Sequence, residues 1–112
     1  MKPAAVRRHG DDVCIWLTLC AVKAVTVFGD PSFSANHTYD YGSNAHGSME
    51  GIFARHSSGS LAKLQTYAGV LASYCDVNDA FCASGDNSND VHGQEVPKHA
   101  QEATDFIVAR AK

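Results

Sequence analysis

The chain has 112 residues, 45% hydrophobic and 19% charged, with a formal net charge of −3 at pH 7. That length holds one domain with a modest core, and the balance excludes both the charge-rich, apolar-poor profile of a disordered chain and the profile of a membrane protein. The nine Lys and Arg are scattered apart from Arg7 and Arg8, so nucleic-acid binding has no electrostatic footing.

Residues 1–20, MKPAAVRRHGDDVCIWLTLC, lead with basic residues into a short apolar run over 13–22. This is the outline of a secretory signal, spoiled by Asp11 and Asp12 ahead of the run and by the strand-like sequence directly after it. The run falls far below the roughly 20 residues that span a bilayer. The segment reads as an unrelated, weakly signal-like leader. Four cysteines in a short chain and the acceptor triplet Asn36-His37-Thr38 both point to oxidising, secreted surroundings, where Asn36 is a candidate for glycosylation.

Residues 21–28, AVKAVTVF, are β-branched and almost continuously apolar, the pattern of a strand buried on both faces of a parallel sheet. Gly29-Asp30-Pro31 ends it. Residues 32–60 are rich in Gly, Ser, Asn and His, with short apolar pieces at Tyr39, Tyr41 and Ile52-Phe53, and read as a long structured loop. VLASYC, 70–75, is a second short strand, and 76–95 is a turn-rich loop of Asp, Asn, Gly and Ser. In VPKHAQEATDFIVARAK, the residues Val96, Ala100, Ala103, Ile107 and Arg110 recur at spacings of three and four. Pro97 suits a first helical turn and Arg110 and Lys112 the last, so the spacing predicts a closing amphipathic helix. Strand, long loop, strand, acid-and-histidine loop, helix is the second half of an α/β sandwich rather than a complete one. In such sheets, sites gather beyond the carboxyl ends of the strands, where the 76–95 loop emerges.

Within that loop Cys75 and Cys82 bracket Asp79, and His92 follows Asp79 by thirteen positions. A histidine acting as general base needs an acid that fixes its tautomer and stabilises the imidazolium, held by backbone that does not drift. Two cysteines seven positions apart can be bridged across a tight loop, which would brace the acid. Two further readings stand beside this one. Asp76, Asp79, Asp86 and Asp90 can be solvated turn residues with His92 on the surface, or Cys75, Cys82 and His92 can be metal ligands. The metal reading suits the spacing badly, because zinc sites favour closer cysteine pairs and secretion oxidises thiols. Residue chemistry alone leaves the choice open.

From about residue 21 to its end the chain resembles the C-terminal half of the cutinase and acetylxylan esterase family, carbohydrate esterase family 5. The stretches that carry the resemblance are VKAVTVFGDPSF at 22–33, YCDVNDAFC at 74–82, and NDVHG at 89–93 followed by a terminal helix. It implies a secreted serine esterase of α/β-hydrolase type, a three-layer sandwich on a parallel sheet with its N-terminal half missing here. It also implies an ester substrate, cutin or acetylated xylan, and neither a metal nor an organic cofactor. Carried over residue by residue, it makes Asp79 the triad acid, His92 the base in the following loop, and Cys75–Cys82 the disulfide bracing the acid. His99 is then a surface or half-buried helix residue, and His37, His46 and His56 have no role.

The family's nucleophile is a serine in a G-x-S-x-G elbow, and no serine of this chain has glycine both two before and two after it. On that reading residues 21–112 are the later part of an esterase domain behind a foreign leader, in a truncated or mis-spliced product that is inactive by the triad route as it stands. The 21–28 strand would keep an open edge and an apolar face, and Cys14 and Cys20 would lack native partners. The rival expectation is a catalytically silent, secreted disulfide-containing binding module or an esterase relic.

Overall fold

A computed structural model describes residues 22–111. The expected leader, with Cys14 and Cys20, lies outside the described residues. Three short strands and two α-helices follow in the order β1 (Val25–Phe28), β2 (Asp40–Tyr41), α1 (Ser58–Gln65), β3 (Leu71–Tyr74) and α2 (Val91–Arg110), with a 3-10 turn at Ser88–Asp90 ahead of α2.

The strands form one parallel sheet in the order β1-β3-β2. Val25 sits opposite Leu71 and Phe28 opposite Tyr74, while Tyr41 flanks Tyr74 from the other side. Because side chains alternate across a strand, Phe28, Tyr41, Ala72 and Tyr74 share one face. α2 covers that face: Ala103 and Phe106 pack against Ala72 and Tyr74, with Ala24, Phe28 and Tyr41 at the margin. The Tyr74 ring stacks on Phe28 at 5.2 Å between centroids, and Tyr41 meets Phe106 edge-on at 6.1 Å. Arg110 closes the helix by placing its guanidinium 3.5 Å from the centre of the Phe106 ring while its Nε–H donates to Gly69 O at 2.6 Å.

The opposite face carries Val25, Leu71 and Asp40. There Val22, Val25, Leu64, Tyr67, Val70 and Leu71 line an open apolar hollow. β1 is therefore not buried on both faces as its composition suggests. It is a half-exposed edge strand, because α2 covers one side and, among the described residues, no strand pairs with its outer edge.

Three further departures from the sequence reading have local causes. The expected long loop contains α1 toward its end and β2 in its middle. α1 has no buried residue, so no apolar stripe announces it; its start is fixed by Ser57, whose Oγ accepts from Ser60 N–H. α2 begins five residues before Val96, so His92 lies in its first turn and not in a loop. Its buried residues are Glu95, His99, Ala103 and Phe106, whereas Val96 is 54% exposed and Ile107 is also exposed. The helix thus turns a face one residue away from the predicted stripe toward the sheet, and that face carries two polar side chains.

Candidate active site

The C-terminal ends of β1 and β3 deliver the site. β3 runs straight into Cys75, and the Cys75–Cys82 disulfide, with a Cα–Cα separation of 5.9 Å, closes the loop that holds Asp79. Both sulfurs sit in a small core with Phe33 and Ala83, so the brace is anchored as well as closed.

Asp79 is fully buried, at 0% exposure. Its Oδ1 accepts from the N–H groups of Phe81, at 2.7 Å, and Cys82, at 3.1 Å. His92 Nδ1 lies 3.0 Å from Oδ2 and 3.2 Å from Oδ1. Burial alone would raise the Asp79 carboxyl, but hydrogen bonds from Glu95, the Cys82 and Phe81 amides and His92 hold it below its ordinary value. An ionised carboxylate only accepts, so Nδ1 carries the proton and Nε2 presents a lone pair. The His92 side chain is 38% exposed, and its ring lies 4.4 Å from that of Phe81. Among the described residues Nε2 has no partner.

The ring is positioned by chemistry the sequence did not advertise. Asn87, Asn89 and Asp90 all adopt left-handed backbone, a conformation that Asn and Asp tolerate best among non-glycine residues. The kink brings Asn87 Oδ1 to the helix start, where it accepts from His92 N–H at 2.9 Å, while Asp90, at the N-cap position, makes no side-chain cap bond. Asn78 ties the same loop together: its side chain bonds to Asp86 and Ser88, and its carbonyl accepts from Asn87 N–H. On the far side stands Gly29, with φ +64°, where a Cβ would lie 2.5 Å from His92 Cε1. Only glycine fits there, for both reasons at once.

A second acid–imidazole pair lies two helical turns further along α2. Asp76 Oδ2 is 2.8 Å from His99 Nε2 and 3.6 Å from Lys98 Nζ, and Oδ1 accepts from Ser43 N–H. His99 is 8% exposed and stacks on Tyr74 at 5.0 Å, so it is a buried residue and not the surface or half-buried one expected. Asp76 is buried too. Burial pushes its carboxyl up, but Ser43 N–H, His99 and Lys98 outweigh that and hold it below its ordinary value. Asp86 and Asp90 are exposed turn residues. Asn36 is exposed, with its Nδ2 donating to Gly47 O at 3.1 Å. His46 and His56 are exposed, and His37 stacks on Tyr39.

Among the described residues, two groups bring three potential metal-ligating side chains together, Cys75–Cys82–Glu95 and Asp76–Glu95–His99. The first has its sulfurs tied in the disulfide. In the second, His99 bonds Asp76 directly and the Lys98 ammonium already faces that carboxylate. Neither offers a set of free donors to a cation.

A parallel sheet packed by a helix, with a carboxylate and an imidazole paired beyond its strand ends, defines a partial α/β-hydrolase-type fold. Residues 17–111 match the Cutinase family, and the chain belongs to it. It is 37% identical over 67 residues to acetylxylan esterase 2 of Talaromyces purpureogenus, an alignment covering 60% of this chain and 26% of that protein. It superposes on the catalytic core domain of acetyl xylan esterase from Trichoderma reesei with a TM-score of 0.68 at 29% identity, covering 82% of this chain and 41% of that one. An acetylxylan esterase structure at 0.90 Å resolution gives a TM-score of 0.64 at 28% identity, covering 80% and 40%. The chain therefore spans about a quarter of the curated relative and two fifths of the solved structures.

Proposed function

We propose that this chain carries the acid and base of a Ser-His-Asp carboxylic ester hydrolase. In that reaction His92 Nε2 takes the proton of a serine hydroxyl as its oxygen attacks the ester carbonyl, and returns it to the departing alcohol, leaving an acyl-serine. Water repeats the cycle: His92 removes its proton, hydroxide attacks the acyl carbon, and the serine recovers the proton as the acid departs. Asp79 stays ionised throughout, holding Nδ1–H and stabilising the imidazolium. The observation that carries this reading is the one-sided engagement of His92, pinned through Nδ1 by a buried carboxylate with Nε2 left free.

The 112 residues hold no G-x-S-x-G serine, so we assign residues 21–112 the acid-and-base part of the esterase domain and expect no turnover by this route from them alone. The relatives named acetylxylan esterase support acetylated polysaccharide as the ester substrate, ahead of cutin polyester. The Cys75–Cys82 bridge and the exposed Asn36 acceptor support a secreted product.

A chimera tests the assignment. Residues 22–111 replace the matching segment of the Trichoderma reesei acetyl xylan esterase core, and acetate release is followed. Turnover should appear, and His92→Ala should lower kcat roughly 10^6-fold. A folded chimera whose turnover survives that change within a few-fold rejects the role given to His92.

A further inference from the structure

Glu95 is the buried group at this site to which the acid–base pair gives no task. It is 1% exposed, on the second turn of α2. Oε2 accepts from Asp76 N–H at 2.8 Å and lies 3.7 Å from Cys82 Sγ. Oε1 is buried and has no hydrogen-bond partner among the described residues. The charged and titratable groups that face it are Asp79 and Asp76 from the loop after β3, His99 from its own helix with Nε2 3.8 Å from Oε1, and beyond these Lys98 against Asp76 and His92 against Asp79.

Three carboxyl groups in one water-poor space do not all ionise; the one with the fewest donors keeps its proton. Asp79 is served by two backbone amides and His92. Asp76 is served by Ser43 N–H, His99 and Lys98. Glu95 receives one donor, Asp76 N–H; the nearby Cys82 sulfur is tied in the disulfide and has no hydrogen to give. An oxygen without a donor in a buried carboxyl is what a protonated acid looks like, since its O–H donates and needs none.

We propose that Glu95 is a neutral, proton-donating positioning residue, whose carboxyl proton is given to Asp79 and holds that carboxylate in the orientation that fixes the His92 ring. Its catalytic meaning rests on the esterase reading above, but the proton itself does not. Burial pushes Glu95 up to about 8, with the bond to Asp79 the next contribution. The same bond helps to keep Asp79 below its ordinary value. Glu95 thus lets a second carboxyl approach the acid without adding a second negative charge beside the imidazole.

The test needs no turnover, so it stands apart from the esterase assignment. Because burial raises Asp40 as well, the infrared comparison is made in an Asp40→Asn background: the purified chain should show a protonated carboxyl band at pH 6 that disappears above pH 9 and is absent when Glu95→Gln is added. In a nitrogen-resolved NMR titration, the His92 ring signals of the parent should move near pH 8 as Glu95 ionises, and Glu95→Gln should abolish that movement. Glu95→Gln keeps an N–H donor toward Asp79 and should preserve the His92 Nδ1–H resonance, whereas Glu95→Leu should speed its exchange with water at least tenfold. A band unchanged in Glu95→Gln, or identical His92 curves in parent and variant, overturns the proposal. So does a Glu95→Leu protein that retains the parent exchange rate; if that variant fails to fold, the Glu95→Gln series decides alone.

Discussion

Two histidines of α2 each face an aspartate from the same loop, at nearly the same distance, yet they differ in everything chemistry needs. His92 meets Asp79 through Nδ1 and leaves its side chain 38% exposed, with Nε2 open. His99 meets Asp76 through Nε2, is stacked on Tyr74, and leaves its side chain only 10% exposed. The nitrogen that is pinned decides the outcome. Holding Nδ1 leaves the far end of the ring open, whereas holding Nε2 turns that end inward and makes the imidazole a strut between helix and loop. A short histidine–aspartate contact is therefore no mark of catalysis without the exposure of the other nitrogen.

The contrast is sharpest in activity. In the chimera, where His92→Ala removes most turnover, His99→Phe should change kcat/KM only a few-fold while lowering stability by about 1–3 kcal/mol, because the buried Asp76 carboxylate loses a donor. Urea unfolding and acetate release on the two variants measure this; equal losses of turnover would erase the distinction. Next comes Gly29→Ala, which places a Cβ 2.5 Å from His92 Cε1 at φ +64°. Displacing the ring by about 1 Å should slow the chimera on the order of 100-fold. Gly69→Ala, with nothing within 4 Å of the added Cβ, is the control.

Removing the brace is a milder blow. Replacing both Cys75 and Cys82 by Ser should lower stability by about 2–3 kcal/mol for so short a loop, read as a shifted urea midpoint. It should also loosen Asp79 more than Asp76, which lies outside the closed segment's centre. The smallest effect is a slope with pH. Glu95, raised to about 8, and Asp40, raised by burial to about 7, keep protons in the folded state that the unfolded chain has released. Their contribution is complete below the ordinary carboxylate range and is lost as pH rises through about 7 and 8. Asp76 and Asp79 act in the opposite sense: lowered in the fold, they contribute above the ordinary range and lose that contribution as pH falls below it. Glu95→Gln and Asp40→Asn should flatten the alkaline decline without touching the acid one.

Some of this was legible in the residues and some was not, for identifiable reasons. The bracketing of Asp79 by two cysteines and the placing of His92 thirteen positions later are local spacings, and they mark side chains that do meet. The closing helix was legible as a helix, but its buried face was not. Val96, Ala100 and Ile107 trace an apolar stripe that faces outward, while Glu95 and His99 are buried because partners satisfy them, a condition no hydropathy pattern expresses. α1 buries nothing, so only its Ser57 cap betrays it. Gly29 reads as the end of a strand; that it also makes room for an imidazole depends on residues more than sixty positions away. Asn87 was hidden among turn formers, and its cap on His92 depends on left-handed backbone at Asn87, Asn89 and Asp90.

The stretch from Cys75 to His92 is tied to itself at every level: disulfide across 75 and 82, carboxylate to its own following amides, Asn78 to Asp86 and Asn87, Asn87 to the helix start. Such a segment behaves as one cassette. Its amides should be the slow ones in hydrogen exchange even when β1 breathes, and it can be carried whole into another scaffold. Besides the Phe33 packing under the disulfide and the Ser43 and His99 bonds to Asp76, two features from outside must travel with it: the missing side chain at Gly29 and the carboxyl of Glu95.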